Sequence, residues 1–256
     1  MSPTDPFATE TPALQRRDWI AGLEKGLTLL QAFDEDHPRL TASQAGQRCA
    51  ITRTVARRLL LTLAHLGFVA TDGKLYWLTP RVLRLGHGYL QSSRLARAVQ
   101  PFLQRVTSAT GEPAALSVLD GDEVTTIARN GPQAALNTGY VLGARVPARL
   151  TAAGQVLLAA QAPQALDDWL ATTDLTPRTP FTQTRKTRLR QTLASIREQG
   201  WALSEQQLAP GQRGVAVPLL DLQGTVVGAL GVTLQMQGES AAEALARLLP
   251  PLQATA

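Results

Sequence analysis

Cysteine is nearly absent from this 256-residue chain: Cys49 stands alone, which excludes an internal disulfide and a cluster of thiolate metal ligands. Histidine is almost as scarce, and His37, His65 and His87 all lie in the N-terminal half. The C-terminal half therefore has no imidazole to activate a nucleophile, and the glycines form no phosphate-binding loop. We expect no enzyme: no catalytic residue, no metal and no cofactor. Long apolar runs are missing too; none approaches the ~20 residues of a membrane span, and the opening MSPTDPFATETPALQRRDW lacks a hydrophobic signal core. The expectation is a soluble protein of the reducing cytoplasm with no membrane partner.

Acids are missing from one long stretch. Between His37 and Gly111 eleven Lys and Arg stand against a single acid, Asp72, a net +10 in a chain whose whole charge is +5. Basic charge concentrated in this way suits a surface that displaces counterions from phosphates. The rest is globular in composition, 44% hydrophobic and 18% charged, and long enough for two domains.

Within the basic stretch, LTASQAGQRCAITRTVARRLLLTLAHLGFVATDGKLYWL runs from Leu40 to Leu78. Thr41 is a fitting N-cap for a short helix, Ala42 to Arg48, whose Ala42, Ala45 and Cys49 recur at helical spacing; Cys49 then belongs to the core. After a break at Ala50 and Ile51, Thr52 caps a longer helix ending near Leu66, with Gly67 as its stop. Val55, Leu59, Leu63 and Leu66 are expected to face inward, whereas Arg53, Thr54 and Arg57 point away and Arg58 flanks them. Gly67 to Ala70 and Leu75 to Leu78 flank a Thr71-Asp72-Gly73-Lys74 turn and read as a hairpin, or wing. Two helices, a tight turn and a wing, with cations at the start of the second helix, are the equipment of a major-groove reader. The candidate DNA contacts are Thr41, Ser43, Thr52, Arg53, Thr54, Arg57, Arg58 and Lys74. His65, near the end of the second helix, needs no role beyond packing or solvation.

Residues 1–17 lack a hydrophobic pattern and read as a disordered arm. Ile20, Leu23, Leu27, Leu30 and Phe33 predict a supporting helix, so the DNA-binding domain covers 18–79. Pro80 opens a basic helix expected to run to about Thr110, with Pro101 as a candidate break, linking the halves over 80–110. Residues 111–256 change character. Strands are expected over 114–119, 123–128, 136–142, 215–220 and 226–234, and helices over 152–160, 163–171, 186–199 and 239–249. Strands in pairs with helices between them give an α+β domain on an antiparallel sheet.

Four blocks in this order, IAGLEKGLTLLQAF, ITRTVARRLLLTLAHLGFV with LTPRVLRLGHGYL, LGARVPARLTAAGQVLLA and PGQRGVAVPLLDLQGTVVGALGVT, resemble the IclR family of bacterial transcription regulators, within it the branch controlling aromatic-acid catabolism through protocatechuate and 4-hydroxybenzoate. The resemblance spans about Trp19 to Leu249. It implies a winged helix-turn-helix, a linker helix and a C-terminal GAF-like effector domain, in homodimers or dimers of dimers on double-stranded DNA with an inverted-repeat operator. The family's small-acid binders carry an acid, a cysteine and two serines where this chain has Ser204, Gly214, Gly231 and Thr233. Those replacements remove polar atoms and open space, which suits a small aromatic carboxylate. Its anion is expected at the start of the helix after Thr151, near Ala153 and Gly154, with Arg145, Arg149 and Arg213 as candidate partners and Ser117 completing the effector set. The alternatives are a regulator of the same type that answers a different small carboxylate, or one with no effector.

Overall fold

The structure is a computed structural model that describes residues 15–34, 36–131 and 141–256. Residues 1–14 of the expected arm and 136–140 of one expected strand lie outside the described residues. The chain divides into two compact units, one reaching to Ser92 and the other running from Ser93 to Ala256.

In the first unit α1 (Ala21–Gln31), α2 (Ala42–Arg48) and α3 (Arg53–His65) pack around Leu29, Leu40, Ala45, Ala56, Leu60 and Leu63. α2 begins with a reciprocal cap: the Thr41 hydroxyl accepts from Gln44 N–H, and the Gln44 side chain accepts from Thr41 N–H. The Thr52 hydroxyl accepts from Val55 N–H and starts α3. The turn between them is tight enough that a Cβ on Gly46 would lie 2.9 Å from the Ile51 carbonyl oxygen, so the sequence has glycine there. The buried stripe of α3 is rotated by about one residue from the expected one. Ala56, Leu60 and Leu63 are buried, Val55 and Leu59 are half-buried, and Leu66, just past the helix end, is exposed. β1 (Val69–Thr71) and β2 (Tyr76–Leu78) pair antiparallel as the wing, with Leu40 bridging to Tyr76.

The basic segment after the wing, expected as one helix with a candidate break at Pro101, is three helices, with one break falling just before Pro101. α4 (Leu83–Ser92) ends before Ser93, whose hydroxyl accepts from Ala96 N–H to cap α5 (Arg94–Ala98); α6 (Gln100–Thr110) then starts with Pro101 in its first turn. A serine that satisfies a helix N-terminus competes with continued helix at the same place, and it wins here.

The second unit is a six-stranded antiparallel sheet in the order β5-β4-β3-β8-β7-β6, confirming the α+β class. Its strands are β3 (Ala114–Asp120), β4 (Glu123–Asn130), β5 (Arg145–Pro147), β6 (Ala202–Glu205), β7 (Gln212–Leu220) and β8 (Val226–Gln235). α5, α6 and α10 (Ala241–Gln253) cover one face, packing Leu103, Val106 and Leu248 on Leu116, Val215, Val217 and Leu230. α7 (Ala152–Ala160), α8 (Pro163–Thr172) and α9 (Lys186–Gln199) cover the other. Alternation along each strand thus feeds two cores at once. No helix among the described residues is long and apolar enough to cross a membrane.

Candidate nucleic-acid interface and effector cleft

On α3 the side chains of Arg53, Thr54, Arg57 and Arg58 are exposed, as are Ser43 on α2 and Lys74 at the wing tip. The charged side-chain groups of Arg53, Arg57, Arg58 and Lys74 have no ion pair or hydrogen-bond partner among the described residues. Several other cations of this unit are engaged: Arg48 with Asp34 and the Ala32 carbonyl, Arg81 with the Leu66 carbonyl, and Arg39 over the Trp77 ring at 4.6 Å. Unpaired cations therefore gather on α3 and the wing tip, with Lys25 on α1 and Arg84 on α4 also unpaired among the described residues. Thr41 and Thr52 spend their hydroxyls on helix caps, which makes them framework for the two helix starts. Arg39 on the wing side is a further exposed cation that patterning along helices does not single out.

In the second unit a small cleft open to solvent lies between the sheet and the N-terminal end of α7. Ser117, Ala153, Gly231 and Thr233, all expected in the effector set, line it. So do Val124, Thr126, Val146, Leu208 and Gln212, which sequence reasoning did not select. Gly214 sits at its wall, where an added Cβ would meet Ala152 Cβ and Thr233 Oγ1, each at 3.4 Å. The Thr151 hydroxyl accepts from Gly154 N–H, and the Thr151 carbonyl accepts from Gln155 N–H. The N–H groups of Ala152 and Ala153 remain at the open helix start, beside the cleft.

Several expected contacts go elsewhere. Gly154 N–H is used by the cap, and Gly154 itself is pressed onto the preceding turn, where a Cβ would lie 2.1 Å from the Ala148 carbonyl oxygen. Ser204 is buried and donates to the Leu150 carbonyl at 3.0 Å. None of the three arginines is a lining residue. Arg145 pairs with Glu123 at 2.8 Å on the sheet surface. Arg149 is buried and donates to the Thr176 carbonyl; burial pulls its pKa down, nearby Asp174 opposes this and Arg178 reinforces it. Arg213 is 2% exposed, donates to Glu205 at 2.7 Å, and also to the carbonyls of Glu239 and Ser240. Each arginine has found a partner that strand register or a loop brings to it, which nearness in sequence does not reveal.

Arg247 extends this charged cluster by binding both carboxylate oxygens of Glu239 at 2.9 Å. The Arg247 hydrogen bonds hold the Glu239 carboxyl below its ordinary value of 4.5; burial opposes this, and the charges of Arg247 and Arg213 add to it. A depressed folded-state pKa contributes stability above the unfolded value that is lost as pH falls through the folded one. Thermal melts should therefore show the gap between the wild type and Arg247→Met narrowing on acidification from about pH 7 to about pH 3. A gap that stays constant would remove Glu239 from this account.

The geometry is that of a two-part protein: a winged helix-turn-helix with unpaired cations, and a sheet domain with a small cleft at a helix start. The comparisons with known proteins agree. Residues 22–73 match the IclR helix-turn-helix domain, and residues 87–256 match the bacterial transcriptional regulator IclR C-terminal domain. The chain belongs to the IclR family of bacterial transcriptional regulators. It is 37% identical over 93% of its length, and 82% of the relative's, to the Pca regulon regulatory protein of Pseudomonas putida. It is 36% identical over 95% of its length, and 92% of the relative's, to the p-hydroxybenzoate hydroxylase transcriptional activator of Acinetobacter baylyi. Among solved structures, the inducer-binding domain of the PobR transcription factor of Acinetobacter, a double mutant in complex with 3-hydroxybenzoic acid, superposes with a TM-score of 0.59 at 29% identity; 64% of this chain and 95% of that one are covered.

Proposed function

We propose that this regulator controls genes of hydroxybenzoate or protocatechuate catabolism in the cytoplasm by binding a small aromatic carboxylate in the cleft. It binds an inverted-repeat operator as a homodimer or dimer of dimers. Arg53, Thr54 and Arg57 read base edges, and Ser43, Arg58 and Lys74 meet the backbone. The division into DNA-binding (18–79), linker (80–110) and effector (111–256) parts is proposed on the same grounds.

The carrying observation is the cleft's lining. Among the described residues it holds no charged side chain, only hydroxyls, Gln212 and small or aliphatic groups, set against the start of α7. An apolar ring with one anionic end matches this lining, with the carboxylate on the Ala152 and Ala153 N–H groups. The names of the Pca and p-hydroxybenzoate relatives support the same class. Calorimetric titration tests it: saturable heat with 4-hydroxybenzoate or protocatechuate is expected and none with pyruvate. Heat with pyruvate alone, or with none of the three, refutes the aromatic assignment.

Gly214→Phe should separate the two functions. The new ring must project between Ala152 and Thr233 and fill the cleft, so the titration heat should vanish while operator binding in the absence of ligand persists. An unaltered titration would show that the ligand binds elsewhere.

A further inference from the structure

Two hydroxyls in the cleft have no protein partner among the described residues. Ser117 and Thr126 are 3% and 6% exposed, and neither hydroxyl makes a hydrogen bond among the described residues. Among the described residues, the buried polar side-chain atoms sealed from open space without a partner are those of Thr125, Arg149 and Gln155. The Ser117 and Thr126 hydroxyls are not sealed in that way, and the open space beside them is the cleft that both residues line. A buried polar group left unpaired is costly, so such groups are ordinarily satisfied by protein, water or ligand.

Their placement is built into the sheet. Ser117 on β3 lies directly opposite Thr126 on β4, which for an antiparallel pair puts the two Cβ atoms roughly 5 Å apart on one face. The register shifts immediately before this pair: Leu116 faces Ala128 and Ser117 faces Thr126, so Ile127 is an extra residue. Ile127 and Ala128 both join the core beneath α6 and α10, and the bulge frees Thr126 to face the cleft with Ser117. Ala229 on β8, opposite Ser117 on its other side, is a small neighbour.

We infer that Ser117 and Thr126 form a subsite that reads a phenolic hydroxyl on the bound ring. Each side-chain hydroxyl both donates and accepts, so a phenol placed between them gives its proton to one and takes a hydrogen bond from the other, leaving all three oxygens satisfied. An unsubstituted ring would leave the pair unpaired under an apolar edge. The inference rests on the aromatic-carboxylate reading of the cleft and adds the part of the ligand that the start of α7 does not address.

The test compares dissociation constants of benzoate, 3-hydroxybenzoate and 4-hydroxybenzoate for the wild type, Ser117→Ala and Thr126→Val, with thermal melts and operator binding as folding controls. Thr126→Val keeps the shape and removes only the hydroxyl's hydrogen bonding. The wild type should bind at least one hydroxybenzoate about tenfold more tightly than benzoate. Each variant should erase most of that preference while its benzoate affinity stays within about twofold of the wild type's. If the preference survives both substitutions, or benzoate weakens as much as the hydroxybenzoates, the subsite assignment is overturned and the aromatic reading stands. If no benzoate of any kind binds the wild type, both fall together.

Discussion

Replacing Arg53 and Arg57 together with alanine should weaken operator binding by about 2–6 kcal/mol, since an arginine that reads a base contributes about 1–3 kcal/mol and the two are four residues apart on one face of α3. Fluorescence anisotropy with an operator duplex would register this as a loss of ~30-fold or more. Both side chains are exposed and unpaired, so melting temperature should hold, which separates lost contact from lost fold. The single variants should relax sequence preference at one position each. Lys74→Ala should instead weaken all sequences alike and reduce the slope of log affinity against log salt by about one. An unchanged affinity for the double variant would mean that α3 is not the reading helix.

The second large effect falls on stability. A Cβ at Gly154 would lie 2.1 Å from the Ala148 carbonyl oxygen and 2.4 Å from Ala148 Cα, which are backbone atoms with no rotamer to give. Ala148, Arg149 and Leu150 are all buried, so the turn that they form has little room to retreat. Gly154→Ala should therefore destabilise the second unit by about 3 kcal/mol, at the upper end for overpacking, and lower its melting temperature by roughly 6–12 °C. Gly214→Ala is the control: its new methyl would meet Ala152 and Thr233 at ordinary contact distance, and its melting temperature should move little. Equal melting temperatures for the Gly154 variant and the wild type would show that the turn can yield.

Much of the first unit was legible because its signals are local. Thr41, Thr52 and Gly67 punctuate the helices within a few residues of what they punctuate, and the acid-free run of cations is visible by inspection. Exact facing was less legible: the buried stripe of α3 depends on which neighbours it meets, and Ala56 passes for a neutral residue in a list of large apolar ones. The short strands β5 and β6 escaped because three or four residues carry no periodicity of their own and form only against β4 and β7. The effector set failed where it depended on charge. Arg145 and Arg213 were read as available, yet Glu123 and Glu205 reach them through strand pairing. Thr126 is a cleft residue that the sequence does not single out: strict alternation, followed back from Ala128, would turn it to the opposite face, and the bulge brings it to the cleft.

β7 carries a division of labour with an evolutionary consequence. Gln212 and Ala216 line the cleft and Gly214 forms its wall, whereas the intervening Arg213 is anchored toward Glu239, and Val215 serves both the cleft and the core beneath α10. Neighbouring codons therefore answer to different selective pressures. On the effector reading proposed above, a substitution at half-buried Gln212 alters ligand preference at little cost to the fold, whereas fully buried Val215 and Ala216 tie any change of preference to a change of packing.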